Sequence, residues 1–222
     1  SSKQTPGTLM DRRDFLKATS ATAAAAATSS FAAHRSPAIL GMSPKHGLGN
    51  PVVGSGEHTY ECIHDWAKLP ASSGIVFGNT HGVAQDSKGL IYIKHTVHAS
   101  STRPDAVCVF DPEGNFIRSW GAEYKGGAHG LHLSKEPDGE YLYLCDQARG
   151  ILDKTTLTGE KVWTKSAPME SGVYNGQNEY HATNVAVVPQ GFARAGDFFV
   201  ADGYGKSWIH RYNAKGDYLG TF

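Results

Sequence analysis

Cysteine is scarce in this chain: Cys62, Cys108 and Cys145 are the whole complement. Three thiols so far apart exclude a disulfide framework and a cysteine-based zinc site, and an odd count leaves at least one free. Net charge is lacking too, because 21 Lys+Arg balance 21 Asp+Glu. No basic field exists to hold a phosphate backbone or an anionic membrane surface, so nucleic acid is not expected as a partner. Long apolar runs are missing as well. The blandest stretch, Ala18 to Ala27, is too short and too diluted with Ser and Thr to span a bilayer, so no stable membrane span is expected. What is plentiful is glycine, at 26 residues, and histidine, at 11. The first suits a turn-rich globular protein. The second is the commonest side-chain metal ligand.

The chain opens with a targeting segment. Asp11-Arg12-Arg13-Asp14-Phe15-Leu16-Lys17 forms a charged region, residues 18–27 a short weakly apolar one, and Ser30-Phe31-Ala32-Ala33 supplies small residues for cleavage. It resembles a twin-arginine export signal, although Asp11 stands where Ser or Thr is usual. We assign residues 1–33 to this signal, with 1–9 as an upstream extension before Met10. The expected location is outside the cytoplasm, periplasmic or extracellular in a bacterium. That export system carries proteins already folded, often with a cofactor inserted. Residues 34–56 are rich in Gly, Pro and Ser, have no period, and read as a linker.

From residue 57 onward the chain repeats. HGVAQDSKGLIYIKH (81–95) with AVCVFDPEGNFIRSWG (106–121), HGLHLSKEPDGEYLYLCD (129–146) with GILDKTTLTGEKVWT (150–164), and TNVAVVPQGFARAGDFFVAD (183–202) with WIHRYNAKGDYLGTF (208–222) align unit for unit. Each holds four short apolar or alternating runs separated by Gly, Asp, Asn or Pro. Four strands joined by hairpin turns, recurring after 48 residues (His81 to His129) and 54 (His129 to Thr183), describe a β-propeller blade. A sandwich would not repeat in register, and a helical solenoid needs a 3.6 period that is absent. The expected fold is therefore all-β, with three four-stranded blades over residues 57–222. The run 58–66 reads as one further N-terminal strand that would complete the last blade.

Repetition also places the chemistry. The innermost strand of each blade starts at the central channel, so His81 and His129, at matching points of two units, should face one axis. Imidazoles converging from different blades make a metal site that linear spacing would hide. His181, just before the third inner strand, is a weaker channel candidate, and His132 should point away by strand alternation. Asp146 and Asp202 end the second strand of two units, where a carboxylate caps the following turn. His95 takes that place in the first unit and reads, with His98, as a surface histidine. Cys108 and Cys145 lie in apolar strands and are expected in the core.

The repeat pattern resembles the NHL repeat, whose propellers usually have six blades, about twice what is present here. That resemblance makes this chain about half of a propeller. The last two units are similar to peptidyl-α-hydroxyglycine α-amidating lyase, a zinc propeller. Ala128-His129-Gly130-Leu131, then Gln177-Asn178-Glu179-Tyr180-His181-Ala182-Thr183-Asn184-Val185-Ala186-Val187, then Val200-Ala201-Asp202-Gly203-Tyr204, follow that family's order and spacing. The resemblance implies that His129 binds zinc and that Tyr204 is catalytic, assisting removal of a hydroxyl proton. His81 becomes a further ligand or a substitute polar group. The implied activity is a zinc-dependent lyase acting on an α-hydroxyglycine-type or other hydroxyl-bearing small molecule or peptide end. One departure stands out: where the family has a catalytic arginine, this chain reads Gly78-Asn79-Thr80-His81, and Arg103, in the loop of the first unit, is the candidate cation nearby. The alternative is a non-catalytic binding propeller for a protein, a glycan or a cell-envelope partner. A calcium-dependent, lactonase-like propeller is a third reading. It would want carboxylates and Asn at the channel mouth, where this chain offers histidine.

Overall fold

A computed structural model describes residues 49–222, which form one compact unit. The expected signal and most of the expected linker lie outside the described residues. Strands β1 (Val52–Ser55) and β2 (His58–Glu61) form a two-stranded hairpin. Twelve further strands make three four-stranded antiparallel meanders. The first comprises β3 (Thr80–Gln85), β4 (Ile91–His95), β5 (Val107–Phe110) and β6 (Phe116–Trp120). The second comprises β7 (Ala128–Glu136), β8 (Gly139–Asp146), β9 (Ile151–Thr156) and β10 (Lys161–Lys165). The third comprises β11 (Asn184–Val187), β12 (Phe198–Ala201), β13 (Ile209–Tyr212) and β14 (Tyr218–Thr221). The described residues are thus all-β, each four-stranded sheet built as a propeller blade. No helix among the described residues is long and apolar enough to cross a membrane.

The hairpin turns explain why the meanders form where they do. Gly89, Gly114, Gly159 and Gly216 all take left-handed φ, and each donates its N–H to a carbonyl three residues earlier, on Asp86, Asp111, Thr156 and Asn213. The polar residue that opens each turn also accepts main-chain N–H groups, as Asp86 does from Lys88 and Leu90. Turn chemistry of this kind fixes strand register before any packing does.

Between the turns, the middle strands of the first two sheets are buried on both faces, whereas β11 and β12 of the third bury alternate side chains. Tyr92, Val107 and Val109 of the first sheet pack on Leu131, Leu142 and Leu144 of the second. Tyr143, Cys145 and Leu152 of the second pack on Val185, Val187, Phe198, Val200 and Tyr212 of the third. Each such side chain contributes roughly 1.5–3 kcal/mol when fully buried. Position by position, Tyr92, Tyr143 and Phe199 are equivalent, as are Val107, Leu152 and Ile209. The first two of each set are buried, whereas Ile209 remains 38% exposed on the third sheet's far face.

Two glycines let the sheets close at their inner edges. A Cβ on Gly82 would lie 2.5 Å from Leu131 Cβ, and one on Gly130 would lie 2.5 Å from the Thr183 carbonyl oxygen. The third sheet carries Asn184 at the equivalent place.

Two expectations need correction. Residues 58–66 are not a lone strand completing another sheet: β2 stops at Glu61 and pairs with β1, which lies inside the stretch read as linker. The cause is local. Gly54 and Gly56 both adopt left-handed φ and allow a tight turn ahead of His58. Residues 66–77 instead cover the outer face of the first sheet, where Trp66, Leu69, Ile75 and Phe77 pack with Cys108 and Phe110. His95 is likewise not a surface residue but fully buried. Its Nδ1 accepts the N–H groups of Gly78 and Val97, and its Nε2 lies 3.5 Å from Cys108 Sγ.

Candidate functional site

His81 and His129 begin the innermost strands of neighbouring sheets, and both fall where the β-ladder slips register. Pairing jumps between Thr80 and Gly82 in one sheet and between Ala128 and Leu131 in the next. An unpaired strand residue is free to turn its side chain out of the sheet's alternation. Both rings turn the same way and stack, with centroids 4.3 Å apart and planes 20° from parallel.

The hydrogen bonds of His129 settle its tautomer. Nδ1 lies 2.6 Å from the Thr183 carbonyl, which can only accept, so the proton is on Nδ1. Nε2 then carries a lone pair, and it accepts from the Tyr204 hydroxyl at 3.2 Å. The Tyr204 ring stands edge-on to the imidazole, at 84° and 5.2 Å between centroids. His81 has a stacking partner but takes no side-chain hydrogen bond from the described residues. Burial, then the His129 ring and the Lys94 ammonium, hold its pKa below the usual histidine value. A lowered pKa favours the neutral imidazole at His81, the form that can ligate a metal.

Together these residues line a cavity of about 470 Å³, with Asn79, Thr96 and Gln147 completing its polar wall. Among the described residues, no charged side chain lines it. The wall carries strain: Val97, a β-branched residue, sits at φ +66°, on the order of 1–3 kcal/mol above a relaxed backbone. His95, buried behind it, bonds the Val97 N–H and holds the turn.

Tyr204 occupies a five-residue turn wrapped around the Asp202 carboxylate. Oδ1 accepts from the N–H groups of His181 and Gly205, and Oδ2 from Lys206 N–H and the Tyr174 hydroxyl. Asp146 acts in the same way in the preceding sheet, accepting from Arg149 N–H and its guanidinium. Both aspartates are therefore turn caps.

The structure brings His81, His129 and Tyr204 together and leaves the other candidates out. His181 bonds the Gln147 carbonyl through Nδ1 and does not line the cavity. His132 faces a separate cavity with Val187 and Pro189. His98 is exposed and bonded to Ser100. Arg103 is committed to Asp105 at 2.5 Å, so it does not replace the missing arginine. Among the described residues, no three His, Cys, Asp or Glu stand close enough to share a metal. All three cysteines are free, Cys62 exposed and the other two buried.

Sequence reasoning missed Thr96 and Gln147, although the repeat marks them. Each follows directly after the residue that ends the second strand of its unit, and repeat alignment puts Gly203, after Asp202, at that place in the third. It also missed Lys94, a fully buried lysine whose Nζ donates to the Cys145 carbonyl at 2.5 Å.

Residues 9–29 match the model of the twin-arginine translocation pathway signal sequence. The protein is therefore exported across the cytoplasmic membrane, to the periplasm or the outside of a bacterial cell. No curated protein matches the chain in sequence. In structure it is similar to virginiamycin B lyase from Staphylococcus aureus, with a TM-score of 0.43 and 14% identity, covering 64% of this chain and 40% of that one. It is also similar to Kuenenia stuttgartiensis hydrazine synthase (TM-score 0.43, 16% identity, 64% of this chain and 36% of that one). A third similar structure is a protein of unknown function from Bacteroides caccae (TM-score 0.39, 12% identity, 74% of this chain and 48% of that one). The chain spans less than half the length of each.

Proposed function

We propose that this exported protein is a propeller of the NHL type whose cavity holds zinc through His129 and His81. It would act as a lyase on α-hydroxyglycine-type or other hydroxyl-bearing small molecules or peptide ends. One observation carries the reading: His129, with its tautomer fixed by a carbonyl, shares one cavity with His81 and Tyr204, the residues that repeat position and family resemblance single out.

The donor set suits the metal. Among the described residues, two imidazoles and no carboxylate line the cavity, which favours zinc and disfavours calcium. The Thr183 carbonyl on Nδ1 serves as the outer partner that orients a ligating histidine and raises its basicity. Bound zinc lowers the pKa of a coordinated hydroxyl and stabilises the resulting oxyanion.

The remaining work falls to this chain's own groups. Tyr204 Oη, beside His129 Nε2, is placed to take the hydroxyl proton of a substrate in the cavity. A phenol becomes a usable base only where a neighbouring cation depresses its pKa. Asn79 and Gln147 offer neutral amide donors where the family resemblance implies an arginine. That same lack of charge favours a second reading, a non-catalytic propeller that binds a neutral partner such as a glycan.

Metal content of the purified protein by mass spectrometry, with His129→Ala beside it, tests the proposal. About one zinc per chain, lost in the variant, is expected, followed by cleavage of an α-hydroxyglycine peptide. No metal in either protein would retire the zinc and lyase readings and leave the binding module.

A further inference from the structure

Thr183 occupies, in the third sheet, the repeat position that His81 and His129 hold in the first two. Its side chain is too short to reach the cavity and does not line it. Instead it is almost fully buried and makes bonds in two directions. Its carbonyl accepts from His129 Nδ1 at 2.6 Å and from Gly130 N–H at 2.9 Å. Its hydroxyl donates to the Ala201 carbonyl at 3.1 Å and accepts the Gly203 N–H at 3.1 Å. Gly203 adjoins Tyr204, so a single residue holds the imidazole through its main chain and the tyrosine turn through its side chain.

We propose that Thr183 is a positioning residue that sets the Tyr204–His129 contact, its hydroxyl pinning the N-terminal side of the tyrosine turn. The inference rests on the reading of His129 and Tyr204 as the working pair. Asp202 grips the other side of the turn at Gly205 and Lys206. With the hydroxyl gone, the turn keeps that grip but loses its tether nearest the ring. The carbonyl bond to His129 survives a side-chain change, so the histidine keeps its tautomer while its tyrosine partner wanders.

The test uses the full chain with ¹⁵N-labelled histidine, His129 being identified by loss of its signals in His129→Gln. Tyr204→Phe gives the Nε2 shift of a ring without the phenolic bond. Thr183→Val, which matches threonine in shape, should move His129 Nε2 to that same value. Nδ1 should stay protonated, and the buried His95 and His210 should stay put. Thr183→Ser should restore the wild-type shift, and Thr183→Val in the Tyr204→Phe background should add nothing. The Gly203 amide should exchange about fivefold faster in Thr183→Val, the effect of losing one ordinary hydrogen bond. An unmoved Nε2 in Thr183→Val, a Thr183→Ser protein that behaves like it, or shifts at every histidine would each overturn the proposal. None of these readouts requires metal. Zinc titration of the same samples separates the two ideas, since a wild-type protein that ignores zinc sinks the zinc reading and leaves the shift pattern to decide this one.

Discussion

Replacing Tyr204 with phenylalanine should tighten zinc binding rather than weaken it. The phenol donates to His129 Nε2 at 3.2 Å, the same lone pair a metal would need. Phenylalanine keeps the ring, and with it the edge-on contact at 5.2 Å to the imidazole, while removing the donor. A neutral hydrogen bond contributes about 0.5–1.5 kcal/mol net. This one belongs at the lower end, because it is long and Tyr204 is 63% exposed. A loss of about 0.5–1 kcal/mol of competition corresponds to a two- to fivefold gain in affinity, at 1.4 kcal/mol per tenfold. Competition against a chromophoric chelator resolves such a change, with His129→Ala as the non-binding reference. Equal affinity in the wild type and Tyr204→Phe would mean that the phenol does not guard the nitrogen. Weaker binding in Tyr204→Phe would make Tyr204 a ligand and refute the competition argument outright.

Two further outcomes concern the frame behind the cavity. Burial pushes His95 down to about 4, against a weaker upward pull from the Asp105 carbonyl, so the folded protein keeps this ring neutral where an unfolded chain would protonate it. Its stabilising effect is complete above about pH 6.5 and is lost as pH falls toward 4, a difference of about 3 kcal/mol. Urea unfolding at pH 7 and pH 4.5 should show that loss in the wild type and a flatter response in His95→Gln; parallel responses would contradict it. Burial likewise pushes the Lys94 ammonium down to about 8, with Cys145, Asp146 and Asp153 opposing. Below pH 8 the fold therefore holds a charge at a cost, and Lys94→Met should stabilise the protein by about 2 kcal/mol at pH 7, about 3 gained from the charge less about 1 for the lost bond to Cys145. A chemical-denaturation midpoint lower than wild type would show that the aspartates around it need the cation.

The sheets were legible because their turns are written in local chemistry. Asp86 with Gly89, Asp111 with Gly114 and Asn213 with Gly216 are short-range signals that owe nothing to packing. The convergence of His81 and His129 was legible only because the chain repeats, so that a position in one unit names a place in the next. What escaped were residues whose partners lie outside their own strand. Lys94 lies in an apolar strand, and its alternation says only that it faces inward, not that a carbonyl waits there. His95 stands where the other units have a capping aspartate, and polar identity pointed it to solvent, whereas two amide N–H groups draw its ring inside. Thr183 reads in sequence as a lost histidine, because nothing in one strand announces the amide that its hydroxyl meets. The β1–β2 hairpin rests on two glycine conformations with no repeat to mark them.

Asn184 has a consequence for the shape of the entrance. Gly82 and Gly130 let the inner strands touch backbone to backbone, which is why one imidazole lies flat on the next. The third sheet has a side chain at that place, Asn184, whose Oδ1 accepts the N–H of Val185. The histidine flank of the cavity is thus closed by main chain, whereas the third sheet presents Asn184 with Val185 and Ala186 to an open cleft.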